Sequence, residues 1–219
     1  MPQVGAPFVA AMEDVLELYE EEYDPQYPTV CFDEKPVSLV ADVSPSQAVA
    51  PGVSARTDYE YQRNGTRNAF FFVEPQAGWR HVSVTHQRTK QDYARCMQWL
   101  VDEAYPNAEY IRVVQDNLST HTPAALYETF APAEARRILR RLEFHFTPKH
   151  GSWLNMAEIE IGIFSRGCLS HRVGDEATLL RRFQALETER NDKHCTITWC
   201  FTSDDARVKL ERLYPIKQT

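Results

Sequence analysis

Residues Thr147 to Glu160 read TPKHGSWLNMAEIE, which packs a turn, a basic pair, an aromatic anchor and two carboxylates into fourteen positions. Two other acidic landmarks can be read with it, Asp33 in VCFDEKP and Asp116 in VVQDNLSTH. Each of them closes an apolar run, which is where a strand would deliver a side chain to a sheet edge. An acid there is costly if buried unpaired, and either one alone reads as a turn or cap residue. Three carboxylates from three distant segments point instead to a cation site. Hard divalent cations take carboxylate oxygens, water and substrate phosphate. Two such ions, about 3.5–4 Å apart, can serve the attacking and leaving oxygens of phosphodiester chemistry.

The third acid is open on spacing alone. Glu158 and Glu160 are two residues apart and so face different sides of a helix. Asn155, Gly162 and Ser165 give Glu158 a small, polar face that could line an open site. Glu160 lies amid Met156, Ala157, Ile163 and Phe164 and must find a partner. This favours Glu158 as a ligand and Glu160 as a supporting or structural group. His121, Lys149 and His150 could serve phosphates. Lys149 and His150 stand beside Gly151 and Ser152, where a glycine turn lets backbone and basic groups come close to a phosphate. Arg136, Arg137, Arg140 and Arg141 form a basic patch that fits either a DNA backbone or a solvated surface.

With 219 residues, the chain can build one large domain or a domain with a small appendage. It has no apolar run long enough for a membrane span, and its first residues lack the basic and apolar regions of a secretory signal. Five scattered cysteines, an odd number, read as free thiols; His194, Cys195 and Cys200 lack paired zinc spacing. A cytoplasmic location is expected. The net charge of −7 is uneven: residues 1–28 hold seven acids and no Lys or Arg, leaving 24 acids against 24 bases. The reading is an acidic helical leader (1–28) ahead of a neutral body (29–219). A DNA-binding protein is usually basic, so a separate module would supply much of any DNA affinity.

Along the chain, Phe8–Tyr23 has helical spacing. Thr29–Phe32 and Val37–Val40 read as one strand interrupted around Asp33–Pro36, and residues 43–57 as a loop. Asn68–Glu74 and His81–His86 are strand-like, joined by PQAGW and preceded by a second turn signal, Arg63–Thr66. Helical spacing follows over Lys90–Ala104, then a strand at Tyr110–Gln115, helices at Pro123–Phe130 and Pro132–Leu142, and a strand at Glu143–Phe146. Trp153–Phe164 and Asp175–Arg190 read as helices. Thr196–Phe201 is apolar, and a last helix covers Ser203–Tyr214 with Ser203 as N-cap. Three antiparallel strands followed by alternating helix and strand give a mixed α/β layered domain.

At FDEK, QDNLSTH and TPKHGSWLNMAE the chain resembles the DDE transposases. More narrowly, it resembles the bacterial insertion-sequence branch of the mariner superfamily. YQRNGTRNAFFFVEP and TITWCFTSDDARVKL share the likeness, which runs from about Phe8 to the end. The resemblance implies an RNase H-like fold, a mixed sheet flanked by helices. It implies Asp33, Asp116 and Glu158 as catalytic ligands of Mg2+ or Mn2+, two ions in all. Asn117, His121, Lys149, His150, Trp153 and Asn155 would lie near the site or face DNA. The implied partners are double-stranded DNA, as element ends and a TA-containing target, and a second copy on paired ends. The implied place is the bacterial nucleoid.

Two features depart from the family pattern. The 41 residues between Asp116 and Glu158 exceed the family's usual spacing, and the Arg-rich helix can hold the excess. The family also carries N-terminal helix-turn-helix units, whereas only an acidic leader precedes Asp33 here. The expectation is a catalytic domain lacking those units. The alternatives are an RNase H-like nuclease without strand transfer and a non-catalytic remnant that regulates by binding DNA.

Overall fold

The structure, a computed structural model, describes residues 5–43 and 60–215; most of the expected 43–57 loop lies outside them. Strands β1 (Thr29–Asp42), β2 (Tyr61–Glu74) and β3 (Trp79–Thr85) form an antiparallel meander. Strands β4 (Ile111–Gln115) and β5 (Leu142–Phe146) add in parallel on the other side of β1. The sheet order is β3-β2-β1-β4-β5. The helices are α1 (Ala6–Glu20), α2 (Lys90–Trp99), α3 (Pro123–Thr129), α4 (Pro132–Leu139), α5 (Ala157–Cys168), α6 (Glu176–Asp192) and α7 (Ser203–Lys209).

The alternation of side chains along each strand sorts the core into two layers. Val30, Phe32, Phe70, Phe72, Ile111 and Val113 face Tyr93, Met97, Leu126 and Ile138 of α2, α3 and α4. On the other face, Cys31, Val73 and Val114 meet Met12, Val15 and Leu16 of α1, together with Leu154 and Ala157. Phe71 meets Phe164 of α5 and Phe183 of α6 on that same face. The run AFFFV is therefore buried on both sides, at roughly 1.5–3 kcal/mol for each phenylalanine. The acidic leader is not detached: Met12, Val15 and Leu16 are fully buried. Its acids pair with the body, Glu13 with Arg207 at 2.8 Å, Asp14 with His145 at 2.9 Å and Glu21 with Arg112 at 2.6 Å.

Several expectations change. β1 runs through Asp33–Pro36 without a break. β4 pairs with it only at Thr29–Cys31, so Pro36 lies where β1 has a neighbour on one side alone. Arg63–Thr66 is not a turn but part of β2. Asn64 and Gly65 together oppose Leu39, a bulge in which Gly65 takes φ +95°. Here the Asn–Gly signal bends a strand instead of reversing it, and Asn64 Nδ2 donates to Gly174 O at 2.7 Å.

Helix α4 stops at Leu139, earlier than expected, because Leu142 pairs with Ile111 in the sheet. The last helix is capped by Thr202, not Ser203, in a reciprocal arrangement with Asp205. It ends at Lys209, and a short 3-10 turn follows at Glu211–Leu213. The free edge of β3 is covered by α6 side chains: Glu187 accepts from Val82 N, and Asn191 bonds both Arg80 N and Arg80 O. No helix among the described residues is long and apolar enough to cross a membrane.

Candidate active site

Asp33 does not end its strand. It follows the last β1–β4 pair, Cys31 with Val114, and continuing that register sets Asp33 beside Asp116, the residue after β4. The pairing of the two parallel strands ends there, leaving a notch beyond Cys31 and Val114. Asp33 shares the Cys31 face of the sheet. Burial pushes its carboxyl up, the Glu34 N–H at 2.8 Å pulls it down, and the charges of Glu158, Glu34 and Asp116 push it up again, to about 7. Asp116 and Glu158 thus lie within electrostatic reach of Asp33. Glu158 is exposed in the first turn of α5.

The expected single helix from Trp153 to Phe164 is in fact two pieces. A short 3-10 turn spans Ser152–Leu154, Asn155 is extended (φ −84°, ψ 109°), and α5 starts at Ala157. Asn155 explains the break. Its Nδ2 donates to Phe32 O at 2.9 Å and lies 3.4 Å from Asp33 Oδ2, while its Oδ1 accepts from Ala157 N at 3.1 Å. One buried side chain thereby ties the start of α5 to β1 at Asp33. The preceding turn is held by Gly151 N to Pro148 O at 2.7 Å. Gly151 is needed there for space, because a Cβ would meet Pro148 Cγ at 2.6 Å. The left-handed residue is His150, at φ 68°, a conformation uncommon outside glycine.

The remaining sequence candidates divide. Lys149, His150 and Asn117 are exposed around the notch loops. Trp153 is half-exposed and stacks at 6.3 Å on Trp199 and edge-on against Phe201. Glu160 is fully buried and turned away from the notch. Its carboxylate takes Arg190 at 2.5 and 2.9 Å and Arg80 at 3.3 Å. Of the arginine patch, Arg137 on α4 pairs with Asp102 and Glu134, and Arg141, beyond the helix, donates to carbonyls between Tyr105 and Glu109. Only Arg136 and Arg140 of that patch face solvent uncommitted.

His121 is buried and sits between two acids, with Nδ1 2.6 Å from Asp116 Oδ1 and Nε2 3.1 Å from Glu34 Oε2. Burial alone would lower its pKa, but the bonds to Asp116 and Glu34 outweigh that and raise it to about 9. A charged imidazolium can donate from both nitrogens. Ligand atoms of Glu34, Asp116 and His121 also lie within 4.8 Å of one another, a spacing a metal ion could span. Metal ligation needs the neutral ring, whereas without an ion the two acids favour the charged one. Sequence reading passed over Glu34. The signal lay in the DE pair of FDEK, since adjacent strand residues face opposite sides and Glu34 had to meet something on the His121 face.

A family profile described as DDE superfamily endonuclease matches residues 28–180. The chain belongs to that family. Solved structures share the fold at low identity. The Mos1 mariner paired end complex with Mn matches at 14% identity and TM-score 0.57, over 94% of this chain and 59% of that one. The Mos1 paired end complex with Mg matches at 18% and 0.53, over 91% and 58%. The Mos1 strand transfer complex matches at 16% and 0.50, over 85% and 59%. The chain therefore spans less than two thirds of the Mos1 chains it matches. Among curated proteins, none matches the sequence. The mixed sheet flanked by helices is the RNase H-like arrangement of these structures.

Proposed function

We propose that this DDE superfamily domain cleaves double-stranded DNA and joins the freed 3′ end to a target, using divalent metal held by Asp33, Asp116 and Glu158. The observation that carries the reading is the notch where β1 and β4 part. It sets Asp33 beside Asp116, with Glu158 close enough to raise the Asp33 pKa. The donor set suits a hard cation: carboxylate oxygens whose mutual repulsion a bound cation would relieve. Mg2+ or Mn2+, as a pair of ions, would supply an activated oxygen nucleophile and stabilise the leaving oxygen.

The chain's own residues then have distinct tasks. Asn155 holds the Asp33 carboxylate and the α5 terminus in one register. His121 holds one oxygen of Asp116. Lys149 and His150, exposed on the turn before α5, meet the phosphate backbone, and Asn117 and Trp153 face the same substrate. Glu160 supports α5 through its arginines and takes no ligand role. Two copies would act on paired element ends; the similar Mos1 structures are of paired end complexes. A TA-containing target and membership of the bacterial insertion-sequence branch belong to the same proposal, as does residues 29–219 being the catalytic unit.

The test is incubation with Mg2+ or Mn2+ and DNA carrying candidate element ends beside a target plasmid. The expected result is metal-dependent nicking at the ends followed by 3′ joining, both absent in Asp33→Asn, Asp116→Asn and Glu158→Gln. Cleavage without joining would assign a plain nuclease. Folded protein that binds DNA without cutting it would assign a regulatory remnant.

A further inference from the structure

We propose that Glu34, acting through His121, is a positioning residue that fixes how Asp116 presents its carboxylate; this rests on the metal-site reading above. The four side chains form a line of close contacts. Arg88 Nη1 lies 3.1 Å from Glu34 Oε1, Glu34 Oε2 3.1 Å from His121 Nε2, and His121 Nδ1 2.6 Å from Asp116 Oδ1. Glu34 and His121 are almost fully buried, at 3% and 2% side-chain exposure. The His121–Asp116 contact is a charge-assisted hydrogen bond, strong and directional, whereas Glu34 Oε2 faces His121 Nε2 as an ion pair and makes no hydrogen bond.

The imidazole ring has little freedom. Tyr93 stacks on it at 5.0 Å and 24°, and Phe32 meets it edge-on at 5.3 Å. The backbone is pinned as well: His121 N donates to Leu118 O at 2.9 Å, and His121 O accepts from Gln115 Nε2 at 3.1 Å. Gln115 in turn accepts from Tyr93 OH at 3.0 Å. A fixed ring holding Oδ1 stops the Asp116 carboxylate from rotating, so Oδ2 is the oxygen left for a ligand. The hold comes from the opposite face of the sheet to Asp33. Asp33 and Glu34, adjacent in β1, thus serve one site from two sides, Asp33 directly and Glu34 through His121 and Asp116.

The experiment measures two quantities on the whole chain: the Mn2+ dissociation constant by calorimetry with end-containing DNA present, and the melting temperature without metal. Variants are Glu34→Gln, Glu34→Asp, Asp116→Asn and, as a buried carboxylate far from the notch, Glu74→Gln. Loss of a partner that orients a ligand typically costs 10–100-fold in metal affinity, and that loss is expected for Glu34→Gln. Glu34→Asp, which keeps the charge, should recover part of it, and Glu74→Gln should leave the affinity unchanged. Should Glu34→Gln fail to fold, Glu34→Asp alone decides, since its shorter arm must still weaken Mn2+ binding. A Glu34 variant that melts earlier but binds Mn2+ as tightly as the parent overturns the positioning role and makes the pair merely structural. Binding lost in Asp116→Asn but intact in the Glu34 variants sinks this inference alone. No Asp116-dependent binding in the parent sinks the metal-site reading along with it.

Discussion

Glu158→Gln and Glu160→Gln, two residues apart, should fail in opposite ways. Glu160 has no exposed side-chain surface, and neither has Arg80 beside it. Its Oε1 takes Arg190 at 2.5 Å and Arg80 at 3.3 Å, and its Oε2 takes Arg190 at 2.9 Å. Arg80 also donates to Gly78 O at 2.7 Å and to Cys195 O, so α5, β3 and the end of α6 meet at this carboxylate. Burial holds the Arg80 guanidinium below its ordinary pKa, and the Glu160 charge opposes that. Glutamine keeps one acceptor but leaves a buried guanidinium without a counter-charge. Removing one partner of a buried pair costs about 3–5 kcal/mol, and the retained acceptor argues for about 3 kcal/mol here. At about 2–4 °C per kcal/mol for a domain of this size, the melting temperature should fall by about 6–12 °C. The protein stays folded in the cold, since domains carry about 5–15 kcal/mol in all. Glu158 is exposed among repelling carboxylates, so Glu158→Gln should melt no lower than the parent. Thermal melts paired with Mn2+ calorimetry in the cold read both effects. Glu160→Gln should bind Mn2+ normally and melt early; Glu158→Gln should melt normally and bind poorly. The reasoning is refuted if Glu160→Gln keeps its melting temperature and loses Mn2+ while Glu158→Gln keeps both.

Asn155→Ala would leave Phe32 O and Ala157 N without their partner and remove the tie to Asp33. About 1–3 kcal/mol is expected for each buried group left unsatisfied, seen as earlier melting together with weaker Mn2+ binding. Gly151→Ala puts a Cβ 2.6 Å from Pro148 Cγ and 2.9 Å from Pro148 O. The turn must shift, and a drop in DNA affinity larger than the drop in stability, read by filter binding and melts, would mark Lys149 and His150 as backbone contacts. Glu74 is buried against Tyr105 OH at 2.7 Å, and burial raises its pKa above the usual carboxylate value. A group whose folded pKa is raised contributes stability below its unfolded pKa, about 4.3, and loses it as pH rises through the folded value. Glu74→Gln cannot lose that proton and keeps an acceptor for Tyr105. Its melting temperature should therefore gain on the parent's as pH rises above about 4, then level off; a constant difference across pH would contradict the assignment.

The layers of this fold were legible because the apolar runs are long and clean. NAFFFVE read as a strand, and Asp33 and Asp116 each stood at the end of such a run. What escaped was local chemistry decided by tertiary partners. Asn64–Gly65 carries a hairpin signal, yet Leu39 across the ladder makes it a bulge. Pro36 suggested a break, but the strand tolerates it because β4 has already ended. Spacing placed Asn155 on a continuous helix, whereas its amide bonds to Phe32, 123 residues away, and splits that helix. Glu34 was passed over because a charged residue beside Asp33 looks like solvated surface until His121 is seen beneath it. Conversely, the contrast between their neighbours does match their burial: Glu158 is exposed, while Glu160 is fully buried and finds two arginines.

The central claim is that Asp33, Asp116 and Glu158 hold divalent metal for DNA cleavage. Anomalous diffraction from crystals of the chain with end-containing DNA and Mn2+ tests it most directly. The account predicts anomalous density in the notch between β1 and β4, bounded by those three carboxylates and absent in Asp116→Asn. Density instead at Glu34 and His121, or Mn2+ bound with no contribution from Asp33 and Glu158, would contradict it.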